Sequence, residues 1–201
     1  MVHSVIDFGA CMASQPITPI TLKEYIDIER RSEYKSEYIE GEVVAMTGAS
    51  RSHNLIVANL TRELGQQLKG RPCELYPSDM RVKAPSGLSY TYPDVVIACG
   101  EPRFEDEHVD TLLNPTLIIE VLSQSTESYD RGKKFAYYRT IESLREVLFI
   151  AQSEYKIEQY VKQAVGRWML SEIGSLEAII ELPSIKCVLA LNEVYDRVRL
   201  P

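Results

Sequence analysis

The sequence predicts an α/β fold, a central sheet with helices packed on it, and three observations carry that reading. Ile56, Leu60, Leu64 and Leu68 recur every four residues and mark an amphipathic helix over 52–69, which Gly70 ends. Thr116-Leu-Ile-Ile-Glu-Val-Leu122 is apolar on both alternating faces, as in a strand covered on both sides. Between residues 52 and 151 the order is helix, three strands, helix, strand, and such alternation packs naturally as a sheet with helices.

The other elements follow in chain order. A helix signal opens near Thr18, where Thr21 can cap and Glu24 sits three residues on, as in a capping box. Residues 34–46 alternate loosely about Gly41 and read as a hairpin. Strands are expected over 73–84 and 90–99, with Pro85-Ser86-Gly87 as the turn between them. An acid-rich loop fills 100–110. A second helix is expected over 130–140 and a buried strand over 146–151. Short strands follow over 155–161, 168–171 and 185–189, and a closing helix over 192–198.

Composition narrows the function. The 201 residues suit one domain, expected over 18–201 behind a flexible tail over 1–17. No apolar run approaches the roughly 20 residues that a membrane helix needs, and the N-terminus lacks a basic start with a compact apolar block. No membrane partner and a cytoplasmic location are the expectations. Cys11, Cys73, Cys99 and Cys187 form no CxxC pair, so they are expected to be free thiols and not a zinc site. The net charge of −7 argues against a dedicated high-affinity DNA binder. An enzyme that grips nucleic acid with one local basic face remains compatible with it.

Two acids stand where acids are costly. Asp94 follows Tyr92-Pro93 at the start of an apolar strand, and Glu120 lies inside Leu117-Ile-Ile-Glu-Val-Leu122. A buried carboxylate needs a cation or a proton. Singly, Asp94 could be a solvent-facing acid at a strand edge and Glu120 a structural ion-pair partner. Together on neighbouring strands they suit a hard divalent cation, with Mg²⁺ as the expected cofactor and Mn²⁺ as its substitute. Lys133 and Lys134 lie in the helix after the Glu120 strand. Lys134 shares a face with Asp130, four residues earlier, which a solvated surface pair would also explain.

These residues resemble a known set. Tyr92-Pro-Asp-Val-Val96 followed by Ile119-Glu-Val-Leu-Ser123 is similar to the PD-(D/E)XK nuclease superfamily, the restriction-endonuclease-like fold. The chain resembles more closely the Uma-two family within it. Glu37-Tyr-Ile-Glu-Gly-Glu42, His53 at the opening of a helix, Asp130-Arg-Gly-Lys-Lys134 with Tyr138, Leu182-Pro-Ser-Ile185 and the stretch 189–194 also match. The resemblance runs over about residues 18–198.

It implies a restriction-endonuclease-like core with a central mixed sheet, an N-terminal helix and hairpin, and added C-terminal strands. It also implies a metal-dependent endonuclease acting on DNA, with Asp94 and Glu120 as magnesium ligands. The superfamily pattern places lysine two residues after the acid, where this chain has Leu122. The resemblance therefore implies that Lys134 supplies the amine from the following helix. His53 and Glu42 are second-tier candidates, with Glu37 beside them. Ser123, Ser125 and Thr126 could bind phosphate, although capping the next helix suits them better. On these grounds loss of Asp94, Glu120 or Lys134 would hold or raise thermal stability. A homodimer or higher homo-oligomer is expected. The competing reading is a catalytically silent oligomeric or nucleic-acid-associated protein that retains the fold.

Overall fold

The computed structural model describes residues 20–200 except 86, 125 and 165. The expected tail over 1–17, Cys11 and Ser125 lie outside the described residues. The chain begins with helix α1 (Leu22–Glu29) and the hairpin β1 (Ser36–Ile39) and β2 (Glu42–Ala45). Thr21 and Glu24 form the capping box that their spacing predicts, each side chain accepting from the other's backbone N–H. Helix α2 (Arg51–Leu68) follows, capped by the Ser50 hydroxyl, and ends before Gly70, which takes a positive φ of 77°.

Next come β3 (Cys73–Pro77), β4 (Arg81–Lys83), β5 (Ser89–Thr91), β6 (Val95–Cys99), β7 (Thr111–Leu112) and β8 (Leu117–Leu122). A helix follows in three continuous pieces. They are α3 (Glu127–Tyr129), a π turn (Asp130–Lys134) and α4 (Phe135–Tyr138). Strands β9 (Glu146–Ala151), β10 (Ile157–Ala164), β11 (Arg167–Ile173), β12 (Ile179–Leu182) and β13 (Cys187–Ala190) lead to a short α5 (Leu191–Val194).

The expected strands over 73–84 and 90–99 are each broken in two. Ser78 adopts a positive φ of 50°, and Pro93 has no N–H to give to a ladder. The two breaks lie side by side, since the Ser78 N–H donates to the Asp94 carbonyl at 2.9 Å. One long antiparallel ribbon thus bends there and passes from one sheet to another. Strands β3 and β6 pair in a six-stranded sheet of order β11-β10-β9-β8-β6-β3, whereas β4 and β5 join a five-stranded sheet of order β2-β1-β5-β4-β7. Strands β12 and β13 form a separate hairpin.

The six-stranded sheet is mixed, with β8 and β9 parallel and its other pairs antiparallel. One face carries Val95, Ile97, Ile119, Val121 and Leu148 against Ile56, Leu60 and Leu64 of α2 and the β12–β13 hairpin. The opposite face carries Val96, Ile118, Val147 and Phe149 against Phe135 and Tyr138 of α4 and Val82 of the second sheet. Covering on both faces is why β8 and β9 are buried throughout their lengths.

The cysteine expectation is corrected at two positions. Strands β3 and β6 place Cys73 directly opposite Cys99, with Cα atoms 4.0 Å apart, and the two form a disulfide. Their 26-residue separation hides the pairing, because register and not spacing brings them together. Cys187 is a free, buried thiol. Among the described residues no helix is long and apolar enough to cross a membrane.

Candidate active site

The bend in the ribbon positions the first acid. Asp94 stands between Pro93 and β6, and the β6–β8 register pairs Val95 with Ile119. One step further along, Asp94 lies opposite Glu120. Its Oδ2 accepts the Val121 N–H at 2.7 Å, so the strand end itself holds the carboxylate. Its Oδ1 lies 3.1 Å from His53 Nε2. The Ser50 cap fixes the first turn of α2, its hydroxyl accepting the His53 N–H, and so aims the imidazole at the bend.

Glu120 is buried in the middle of β8 and faces α4. Its Oε1 accepts the Tyr138 hydroxyl at 2.6 Å and lies 3.1 Å from Lys134 Nζ. The Tyr138 hydroxyl also shares a hydrogen bond with Thr91 of β5 at 3.0 Å. Lys134 is 5 % exposed and reaches three carboxylates. Besides Glu120 these are Glu37 at 2.9 Å and Asp130 at 3.5 Å. The Asp130–Lys134 pair is therefore buried and not a solvated surface bridge. Glu37 comes from the second sheet and is held by the Tyr92 N–H at 2.9 Å and the Tyr129 hydroxyl at 3.1 Å.

Burial pushes the Glu120 carboxyl well above the usual carboxylate range; Lys134 opposes this, and Asp130, Asp94 and Glu37 add to it. Burial raises Asp130 as well, again against the pull of Lys134. For Lys134 burial acts to lower the ammonium, but Glu120, Tyr138, Glu37 and Asp130 outweigh it and hold the group well above its ordinary value. Lys134 is thus the fixed positive charge of the cluster. Glu37, Glu120 and Asp130 against one ammonium leave an excess of negative charge, which a bound cation or a retained proton would balance.

Of the sequence candidates, Asp94, Glu120, Lys134 and His53 are brought together. Glu42 is not. It is exposed on β2, and its contact is with Lys133 at 3.9 Å. Lys133 also faces outward, 3.5 Å from Glu40. Glu37 is the inward acid of that motif, because Glu37 and Glu42 lie on paired strands with different exposure. Tyr129 and Tyr138 carry no sequence signal of a site role beyond the match at Tyr138. Thr126 stands at the N-cap of α3 without a side-chain cap hydrogen bond, and the Ser123 hydroxyl accepts the Thr126 N–H at 3.2 Å just before the helix, so the capping expected of these residues is not seen.

Among the described residues no three His, Cys, Asp or Glu side chains are arranged as a metal-binding group. Two carboxylates, Asp94 and Glu120, are nevertheless a donor set of the type that suits magnesium, which keeps several waters and takes further oxygens from phosphate.

This order of elements and residues matches a family model described as "Putative restriction endonuclease" over residues 22–192. The chain belongs to the Uma2 family. Two Synechocystis proteins are similar over nearly their whole lengths. "Uncharacterized protein sll1609" is 40 % identical over 167 residues, which is 83 % of this chain and 94 % of that protein. "Uncharacterized protein slr1290" is 33 % identical over 182 residues, 90 % of this chain and 94 % of that protein. Among solved structures, one from Anabaena variabilis, described as a putative nuclease belonging to DUF820, matches with a TM-score of 0.73 at 20 % identity. The match covers 90 % of this chain and all of that one. That likeness establishes the nuclease-type fold for this Uma2 chain.

Proposed function

We propose that this Uma2 protein is a metal-dependent endonuclease that hydrolyses phosphodiester bonds in DNA. The observation that carries the proposal is the buried Lys134 ammonium, 3.1 Å from Glu120 in the strand that Asp94 stands opposite. Family membership and the nuclease-type fold agree with it.

Asp94 and Glu120 would hold Mg²⁺, or Mn²⁺ in its place. Such an ion, when bound, polarises a phosphoryl group and makes water a better nucleophile. The chain's own residues supply the rest. Val121 N–H and His53 fix both oxygens of Asp94, so the carboxylate is oriented before any ligand arrives. Lys134, held charged by its three acids, would stabilise negative charge growing on a phosphate oxygen. Tyr138 and Thr91 keep Glu120 turned toward Lys134.

The test is nicking of a supercoiled circular DNA with Mg²⁺ or Mn²⁺, with and without chelator. The expected result is chelator-sensitive nicking by the wild type that falls by orders of magnitude in Asp94→Asn, Glu120→Gln and Lys134→Met. Nicking at an undiminished rate in all three variants would place the chemistry elsewhere. Absence of nicking by metal-loaded wild type would favour the silent, nucleic-acid-associated protein. Calorimetry with Mn²⁺ separates the readings further, since equal affinity in wild type and Glu120→Gln removes the metal site.

A further inference from the structure

Away from the acid cluster lies an open groove of about 780 Å³ between the end of α4 and the β10–β11 hairpin. Phe135, Arg139, Tyr160, Arg167, Trp168 and Met169 line it, and among the described residues no acid does. That composition is unexpected in a chain of net charge −7. Arg139 and Arg167 have no ion-pair partner among the described residues. The Arg139 guanidinium lies 5.1 Å from the Phe135 ring centre, and Lys162 lies 5.8 Å from that of Trp168. The aromatic rings form a packed set, Phe135 with Tyr160 at 4.6 Å and with Trp168 at 5.9 Å.

Cations without ion-pair partners beside a ring cluster in which Tyr160 and Trp168 are partly exposed are the two components of a nucleic-acid strand site. The cations track phosphates and the rings stack on bases whatever their sequence. Packed side chains link the groove to the acid cluster, although no residue of that cluster lines it. Phe135 directly follows Lys134, and it packs on Phe149, which is the register partner of Glu120. From Glu120 to Tyr160 the path is two strand spacings across and two residues along, on the order of 12 Å. At about 3.4 Å per nucleotide of one strand, three or four nucleotides span it.

We infer that this groove is a second nucleic-acid contact, which takes the phosphates and an unstacked base of a strand segment flanking the one presented to Asp94 and Glu120. The assignment rests on the nuclease reading for its substrate class, but its test does not need catalysis. Trp168 is the sole tryptophan, so it reports its own groove. A single-stranded oligonucleotide titrated in chelator at low salt quenches Trp168 fluorescence, and the quenching weakens as salt rises.

Arg139→Gln with Arg167→Gln lowers the affinity at least fivefold and makes the salt dependence shallower by a little over one unit of log–log slope, at about 0.7 per phosphate contact. Asp94→Asn leaves the quenching in place. Unchanged affinity in the double variant, or no quenching by oligonucleotide at any salt concentration, overturns the groove assignment. Quenching by an acidic peptide equal to that by the oligonucleotide does so too. In the plasmid assay the double variant raises KM and leaves kcat near wild type. A groove that binds as described in a protein that never nicks would sink the nuclease reading and leave this one standing.

Discussion

Lys134 is the most informative residue to remove, because its loss and the loss of Glu120 act on the same cluster with opposite sign. Glu37, Glu120 and Asp130 surround one ammonium, and all four residues are at most 5 % exposed. Glu120→Gln takes one charge from an acidic excess and preserves volume, with an amide oxygen still able to accept from Tyr138 and Lys134. Lys134→Met keeps the aliphatic stem but leaves three buried carboxylates without their cation. The sequence alone suggested that stability would be held in both; the structure reverses that for Lys134. Breaking a buried pair by removing one partner costs about 3–5 kcal/mol, and a chain of this size loses roughly 2–4 °C of Tm per kcal/mol. Lys134→Met should therefore melt at least about 6 °C lower at neutral pH on that conversion, and Glu120→Gln should melt at or above wild type.

The pH dependence checks the cause. Burial already raises Glu120 and Asp130, and Lys134 is the largest influence opposing the rise at both. Without it their folded pKa values climb further above the unfolded ones. For an acid raised in this way the folded state binds the proton more tightly, so stability falls as pH climbs from the unfolded value toward the folded one. The deficit of Lys134→Met should thus be greatest at neutral pH and shrink as pH is lowered through the carboxylate range. The assay is thermal unfolding by circular dichroism in chelator from pH 4 to 8, with the double variant Glu120→Gln/Lys134→Met as the arm that recovers part of the loss. A Lys134→Met protein as stable as wild type at neutral pH would refute the reasoning, as would a deficit that does not change with pH.

Three more contacts lead to measurable outcomes. Arg30 and Arg81 hold the Asp110 carboxyl well below the usual range, so its contribution is present at neutral pH and is lost as pH falls through the folded value. Asp110→Asn should melt below wild type at pH 7, and the gap should close in strong acid; a constant gap would assign the effect to packing. Reduction of the Cys73–Cys99 disulfide, which joins residues 26 apart in sequence, should cost about 3.5 kcal/mol on the chain-entropy account. Cys73→Ser should then unfold at the same denaturant concentration with and without reductant, whereas wild type should not. Tyr138→Phe removes a buried hydroxyl bonded to both Glu120 and Thr91, and should cost about 1–3 kcal/mol by leaving polar partners unmet. A wild-type urea midpoint for that variant would show that neither bond matters to the fold.

Legibility in the sequence followed the range of the interactions. The α2 stripe gave a helix over 52–69 against the observed Arg51–Leu68, because a four-residue apolar repeat is a local signal. The capping box at Thr21 and the doubly buried β8 and β9 are local in the same sense. Asp94 and Glu120 were visible as acids in apolar surroundings. Three features depend on what lies across a register and were not legible. Cys73 meets Cys99 only once β3 and β6 are aligned. Glu37 and Glu42 look alike in the chain, yet one is inside and the other outside. The bend at Ser78 and Pro93 had a signal in the proline, which cannot serve a central ladder, but not in the serine.

The π turn shows most plainly how the site exceeds its pattern. An α-helical reading puts Asp130 and Lys134 on one face, four residues apart, and this pair is found. The same reading separates Tyr129 from Lys134, since residues five apart lie roughly 140° away from each other around an α-helix. Both nevertheless reach the one carboxylate of Glu37, Tyr129 through Oε2 at 3.1 Å and Lys134 through Oε1 at 2.9 Å. A π turn bonds residues five apart, and so brings them above one another. The segment Asp130–Lys134 is that turn, with Gly132 at its middle. Its widened turn lets one short helix present Tyr129, Asp130 and Lys134 to the acids of two different sheets, Glu37 on β1 and Glu120 on β8. On the nuclease reading proposed above, the amine missing at Leu122 would be supplied from there, and a regular α-helix with the same residues would have to give up either the Tyr129 or the Lys134 contact to Glu37.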